Sequence, residues 1–205
     1  MEVPKIQLSA TEIDLMSNAS IILTKNSILK KIRELLETMQ MQQLEYIRNG
    51  DHASKNELLL IPPKISKGES YLGLPYLILD YPRHSAPGDL FFIRNMFWWG
   101  QYFSTTLHVS GKSKAKIKNK ILEQEALLSK NNYFIGVNDD PWVHHFEEIN
   151  YKSMNLLASN ELAENLSARD HIKIAAKLPL NNVHLAAINM YESWKLFLRI
   201  TGLVP

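Results

Sequence analysis

Cysteine is absent from the 205 residues, which excludes a disulfide scaffold, thiol catalysis and Cys-ligated zinc or iron–sulfur centres. An excess of one charge sign is missing too. Lys and Arg number 23 against 21 Asp and Glu, a net charge of +2, too small by itself to demand a polyanionic partner. The longest stretch free of Asp, Glu, Lys and Arg runs from Asn95 to Gly111, and Asn95, Gln101, Thr105, Thr106 and His108 interrupt it, a cost no membrane-spanning helix bears cheaply. Glu2 stands where a signal peptide wants positive charge, and no apolar core of the usual length follows, so a cytoplasmic protein is expected. Glycine-rich dinucleotide loops, nucleophile elbows and kinase signatures are lacking, which disfavours hydride transfer, serine hydrolysis and kinase chemistry. Gly111-Lys112-Ser113 resembles the end of a phosphate loop, but Thr106 occupies the position where that loop needs its first glycine.

What is present is unevenly placed. At 45% apolar and 21% charged the composition is that of an ordinary globular chain, and the area scaling law gives roughly 9,800 Å² of folded surface, enough burial for one core. A single domain over 1–205 is expected, with a helical N-terminal part over 1–50, a sheet-rich middle over 58–137 and a helical C-terminal part over 140–202. Ten of the 19 aromatics fall between Tyr71 and Phe103.

Ser9 followed by Glu12 is a capping-box spacing that opens a first helix. Ile28, Ile32, Leu35, Leu36, Met39 and Ile47 then recur at helical intervals up to Gly50. These two amphipathic helices have two possible uses, packing on a sheet or pairing between subunits. From Tyr71 to Gly111 β-branched and aromatic residues dominate, and turn signals fall at Tyr81-Pro82, Pro87-Gly88 and Gly100. Three strands are expected, over Tyr71 to Asp80, about Leu90 to Trp99 and Gln101 to Ser110, although Asp89 could instead cap a short helix over the middle one. Lys112 to Lys130 reads as a one-sided helix and Asn132 to Val137 as a short strand. Asp140 before Pro141 reads as the cap of another helix, and Val183, Ala187, Met190, Tyr191, Trp194 and Leu198 define a last, core-facing one. The fold class is therefore α+β: one antiparallel sheet, about residues 71–137, with N-terminal and C-terminal helices packed against it.

The block 71–111 holds only four formal charges, Asp80, Arg83, Asp89 and Arg94, where the chain average would place about nine. Charges kept in apolar surroundings must reach water or be paired, so the candidate site is sought there. Asp80, Arg83 and His84 lie within five residues at a strand end, where Arg83 and His84 could hold a carboxylate or phosphate and Asp80 could orient His84 as a general base. A hairpin-turn ion pair from Arg83 to Asp80 or Asp89 accounts for the same residues. Strand alternation puts Arg94 on one face with Phe92, Met96 and Trp98, and Phe97 and Trp99 on the other. His108, with Thr106 and Ser110, forms a polar stripe on the neighbouring strand. The ligand-binding set drawn from this is Asp80, Arg83, His84, Arg94, Trp98, Trp99 and His108.

The expected function is binding of a small polar or anionic molecule, or of a protein partner, at one edge of the aromatic sheet. The competing reading is an enzyme doing acid/base chemistry on a small polar substrate, with His108 or His84 as base. His144, His145 and Glu148 have metal-like spacing, but neither the Glu-x-x-His pair of di-iron helices nor the His-Glu-x-x-His of zincins is present, so no metal and no cofactor is expected. Five lysines alternate from Lys112 to Lys120. They could touch a phosphate backbone, but a solvated helix face explains them as well, and nucleic acid is the disfavoured partner.

Overall fold

The computed structural model describes residues 6–205. One seven-stranded antiparallel sheet runs in the order β1-β2-β3-β4-β7-β5-β6. Its strands are β1 (Lys64–Tyr71), β2 (Leu74–Ala86), β3 (Asp89–Trp98), β4 (Tyr102–Ser110), β5 (Phe134–Gly136), β6 (Tyr151–Ser153) and β7 (His171–Pro179). The helices are α1 (Ala10–Ser17), α2 (Ala19–Asn49), α3 (Gly111–Glu123), α4 (Glu125–Lys130), α5 (Glu161–Ala168) and α6 (Ala186–Thr201). The fold is α+β, as the sequence predicts.

The central meander β2–β3–β4 follows from its residues. Alternate side chains go to opposite faces, and Leu77, Leu79, Phe97 and Phe103 lie on the same face as Ile93, Leu107, Ile172 and Ile174. Helices α2, α6 and α3 cover that face. Leu29, Ile32, Leu36 and Met39 of α2, with Ala186 and Met190 of α6, pack on Leu77, Leu79, Phe97 and Phe103. Trp194, Phe197 and Leu198 of α6 meet Tyr81, Phe91, Ile93 and Leu107, joined by Ile117 and Ile121 of α3. Each of these buried side chains contributes about 1.5–3 kcal/mol by leaving water. Trp194 also donates its indole N–H to the Tyr81 carbonyl (2.6 Å), so the ring is satisfied at both its apolar and polar ends.

Residues 90–98 are strand, not the helix that Asp89 could have started; Asp89 instead accepts from the Ser113 N–H (2.8 Å) at the start of α3. The sheet also reaches further than 71–137. It begins at Lys64 and takes β6 and β7 from the segment expected to be helical over 140–202. The helix expected after Asp140 is absent. The Asp140 carboxylate accepts from the Trp142 N–H (2.8 Å) in a tight turn, the alternative use of an Asx side chain that competes with helix capping. Residues 137–150 therefore form an irregular strap, and it crosses the face of the sheet opposite the helices.

Candidate functional site

The strap-side face is built by register. Cross-strand partners share a face, so the pairs Asp80–Arg94, Arg94–Thr106, Phe92–His108, His108–Lys173 and Ser110–His171 bring two cations, a carboxylate and two imidazoles into one row. Ile78, Met96, Trp98 and Tyr102 continue that face as an apolar patch under Phe146 of the strap. Half of this sheet face is thus aromatic and half is charged.

The strap is tied down by both halves. Tyr71 receives the His144 N–H (2.6 Å) and contacts His145 Nδ1 (3.0 Å) through its hydroxyl. Tyr102 donates to the His144 carbonyl (3.0 Å), and the Lys173 ammonium donates to the Val143 carbonyl. Phe146 stacks on Tyr151 with ring centres 4.4 Å apart, and Lys177 lies over both Tyr102 and Phe146. Two of these anchors are lysines whose charge rests on carbonyls and aromatic faces rather than on carboxylates.

Arg94 is fully committed. Its guanidinium grips Asp80 with two hydrogen bonds (2.8 and 2.9 Å), the bidentate geometry that suits a partly buried pair. Its remaining Nη1 lies 3.2 Å from His144 Nε2. Arginine has no acceptor to offer, so Arg94 donates and His144 Nε2 carries no proton. Burial, with Lys173 and Arg94 nearby, holds the His144 imidazole well below the usual histidine range, in agreement with that geometry.

His108 is 3% exposed and His171 6%. Their rings stand 5.9 Å apart, and Trp142 of the strap meets His108 edge-on at 5.4 Å. The Nε2 atoms of both histidines are buried without a hydrogen-bond partner. Desolvation and the cations Lys173 and Arg94 push His108 down to about 3, and desolvation with Lys173 lowers His171 as well. Both rings are therefore neutral near pH 7, with one N–H each to give. Lys173 is 2% exposed, and burial, followed by repulsion from Arg94, lowers its ammonium to about 7. Among the described residues no carboxylate comes within ion-pair distance of Lys173.

A groove of about 670 Å³ opens beside His171, between Leu90 and Ser110 of the sheet, Asp139 and Pro141 of the strap, and Arg169. Arg169 stands 3.1 Å from the exposed Asp139 carboxylate, but the guanidinium Nε lacks hydrogen-bond alignment there. Its Nη1 donates to Asn165 Oδ1 (3.2 Å), which fixes the arginine beside the groove.

Of the seven residues proposed from sequence, Asp80, Arg94, Trp98 and His108 share this face. Trp98 is buried and donates to the Tyr71 carbonyl (3.2 Å). Arg83 joins the face by register, opposite Phe92, whereas Trp99 and His84 do not. Trp99 lies on the helix face beside Phe97. A bulge between Asp80 and Arg83 shifts the register. Beyond it, Arg83 turns to the Pro62 carbonyl (2.8 Å), and His84 faces Asp89 at 3.7 Å on the helix side. Asp80 does not orient an imidazole, since both its oxygens are taken by Arg94, and neither of the hairpin pairs proposed for Arg83 forms. His144 reaches Arg94, a poor neighbour for a metal ion, and no group of three or more His, Asp or Glu fit to hold a metal occurs among the described residues. In α3, Lys114 donates to the Arg169 carbonyl, Lys118 to Ser167 (2.8 Å) and Lys120 to the Thr201 carbonyl (3.2 Å), so three of the five lysines hold the fold together. No described helix is long and apolar enough to cross a membrane.

Lys173, Lys177 and His171 fall outside the residues proposed from sequence, because β7 lies in the segment expected to be helical over 140–202. The signal was present: His171, Lys173, Ala175 and Lys177 alternate with Ile172, Ile174, Ala176 and Leu178, the period of a half-buried strand.

The fold and site together define a class: an α+β protein with one sheet face sealed by helices and the other, rich in buried nitrogen donors, roofed by a strap. Set against family models, curated proteins and solved structures, the chain has no match.

Proposed function

We propose that this chain binds a small anionic molecule, of carboxylate or phosphate type, in the groove beside His171, with the strap over 137–150 as its wall. The carrying observation is His171, which lines the groove and whose Nε2 is buried without a partner. A buried polar atom without a partner costs about 1–3 kcal/mol, and a ligand acceptor removes that cost. The surroundings favour an anion: Arg169 lines the groove, His108 has a second unpartnered nitrogen behind His171, and Lys173 stands without a carboxylate at ion-pair distance among the described residues. Ser110 and Gly111 line the same groove. Asp139 and Asp170 at the same groove exclude a highly charged polyanion, which narrows the class to small, singly or doubly charged compounds.

The test is calorimetric titration of the full chain at low ionic strength with inorganic phosphate, then with a short dicarboxylate. Saturable binding that weakens at least roughly tenfold in Arg169→Gln and in His171→Phe supports the reading. Absence of heat for every anion tried, or binding equal in both variants, removes it.

A further inference from the structure

The apolar seam of α2 runs through Leu29, Ile32, Leu36, Met39 and Ile47 onto the sheet. Continued backward at the same spacing it reaches Ile22, where nothing lies beneath it. Every residue from Ile6 to Thr24 is exposed, and α1 has no buried residue. Nine large apolar side chains between Ile6 and Ile28 face water, Met16 at 71% and Leu23 at 67% exposure among them.

This arm is locally well specified. Ser9 and Glu12 cap α1 reciprocally (2.7 and 3.2 Å), and Asn18 accepts from the Ser20 N–H (3.1 Å) to start α2. Local signals alone do not hold an eight-residue helix in water, so α1 needs a surface to pack on. The area available is sufficient. The chain exposes 11,766 Å², about 2,000 Å² more than a compact monomer of its mass, and a standard interface needs roughly 800 Å² from each partner.

Charge identifies the occupant. Residues 6–24 carry only Glu12 and Asp14, whereas 25–33 carry Lys25, Lys30, Lys31 and Arg33 with no acid among them. A two-fold axis near Ile22 sets the acids of one copy against the bases of the other, and Met16 against Ile28. We propose that residues 6–28 form an antiparallel, isologous helical interface with a second copy of this chain. Lys25 already pairs with Glu69 of β1 (3.1 Å), and Lys30–Glu34 (3.9 Å) and Arg33–Glu37 (2.8 Å) pair within α2; all three are exposed enough to rearrange at little cost.

Sedimentation velocity of the full chain across a concentration series up to about 100 µM, the range in which a modest interface saturates, is the experiment. The wild type is expected to sediment as a dimer. Met16→Asp combined with Ile22→Asp, at two exposed positions that leave the core untouched, is expected to sediment as a monomer with unchanged thermal unfolding. Glu12→Lys with Asp14→Lys weakens the dimer at least tenfold, and adding Lys30→Glu with Lys31→Glu restores it. A monomeric wild type overturns the proposal. So does a dimer indifferent to the arm variants, or an arm that is monomeric alone and captured by phosphatidylcholine vesicles.

Discussion

Asp80 and Arg94 make the clearest single-residue commitment in the molecule. Both side chains are largely shielded, at 10% and 16% exposure, so removing one partner leaves a charge with poor access to water. Asp80→Asn is expected to cost about 2–4 kcal/mol in urea unfolding, while Asp80→Leu combined with Arg94→Met recovers most of that loss, because an apolar pair carries no desolvation penalty. A double variant as unstable as the single one would mean that Arg94 holds the strap through His144 more than it holds Asp80. His108 makes a second prediction. Its folded-state titration lies near 3 against an ordinary 6.5, so between those values the unfolded chain binds a proton that the folded chain does not. The His108 contribution to stability is full above pH 6.5 and is lost as the pH drops toward 3, by about 1.4 kcal/mol per pH unit. Lys173, lowered from 10.5 to about 7, adds a decline of the same sign between 10.5 and 7. Urea unfolding at pH 7.5, 6 and 5 checks this, and His108→Gln is expected to flatten the acid limb. An unchanged slope in that variant would place the acid sensitivity elsewhere.

At the scale of elements, α2 carries a contradiction. Gln43 sits on its buried seam with no exposed surface, and neither amide atom has a partner. Gln43→Met keeps the volume and removes two unsatisfied groups, so the urea midpoint is expected to rise by the equivalent of about 1–2 kcal/mol. A fall would show that the amide finds a partner in solution. The elements also separate what was legible in the sequence from what was not. The strands β2 and β4 are legible in their apolar, β-branched and aromatic runs, whereas β3 reads equally as a short helix capped by Asp89 until its pairing with both neighbours decides it. The helices α2 and α6 kept their period for several turns. The strap and β7 could not be read by the same means. Asp140-Pro141 carries an equally good signal for a helix cap and for an Asx turn, and tertiary contacts through Tyr71, Tyr102 and Lys173 decide between them. In β7 the lysines disguised a core strand, since burial of Lys173 depends on a strap 30 residues away.

For the molecule as a whole, the sheet divides two kinds of work. Its helix face holds the large apolar core, and its strap face gathers the buried nitrogen donors around His108, His171 and Lys173. Alternation alone puts Arg94 and Trp98 on one face of β3 and Trp99 on the other, and the strand pairing has them so. Asp80, Arg83 and His84, expected together at a strand end, are divided by the bulge after Asp80, which leaves Asp80 opposite Arg94 and Arg83 opposite Phe92 but turns His84 to the helix side. The central claim is that this face ends in an anion-binding groove, and diffraction from crystals grown with selenate tests it most directly. The account predicts an anomalous peak in the groove, about 3 Å from His171 Nε2 and within reach of Arg169. Selenate bound only at the surface lysines of α3, with water alone beside His171, would contradict it.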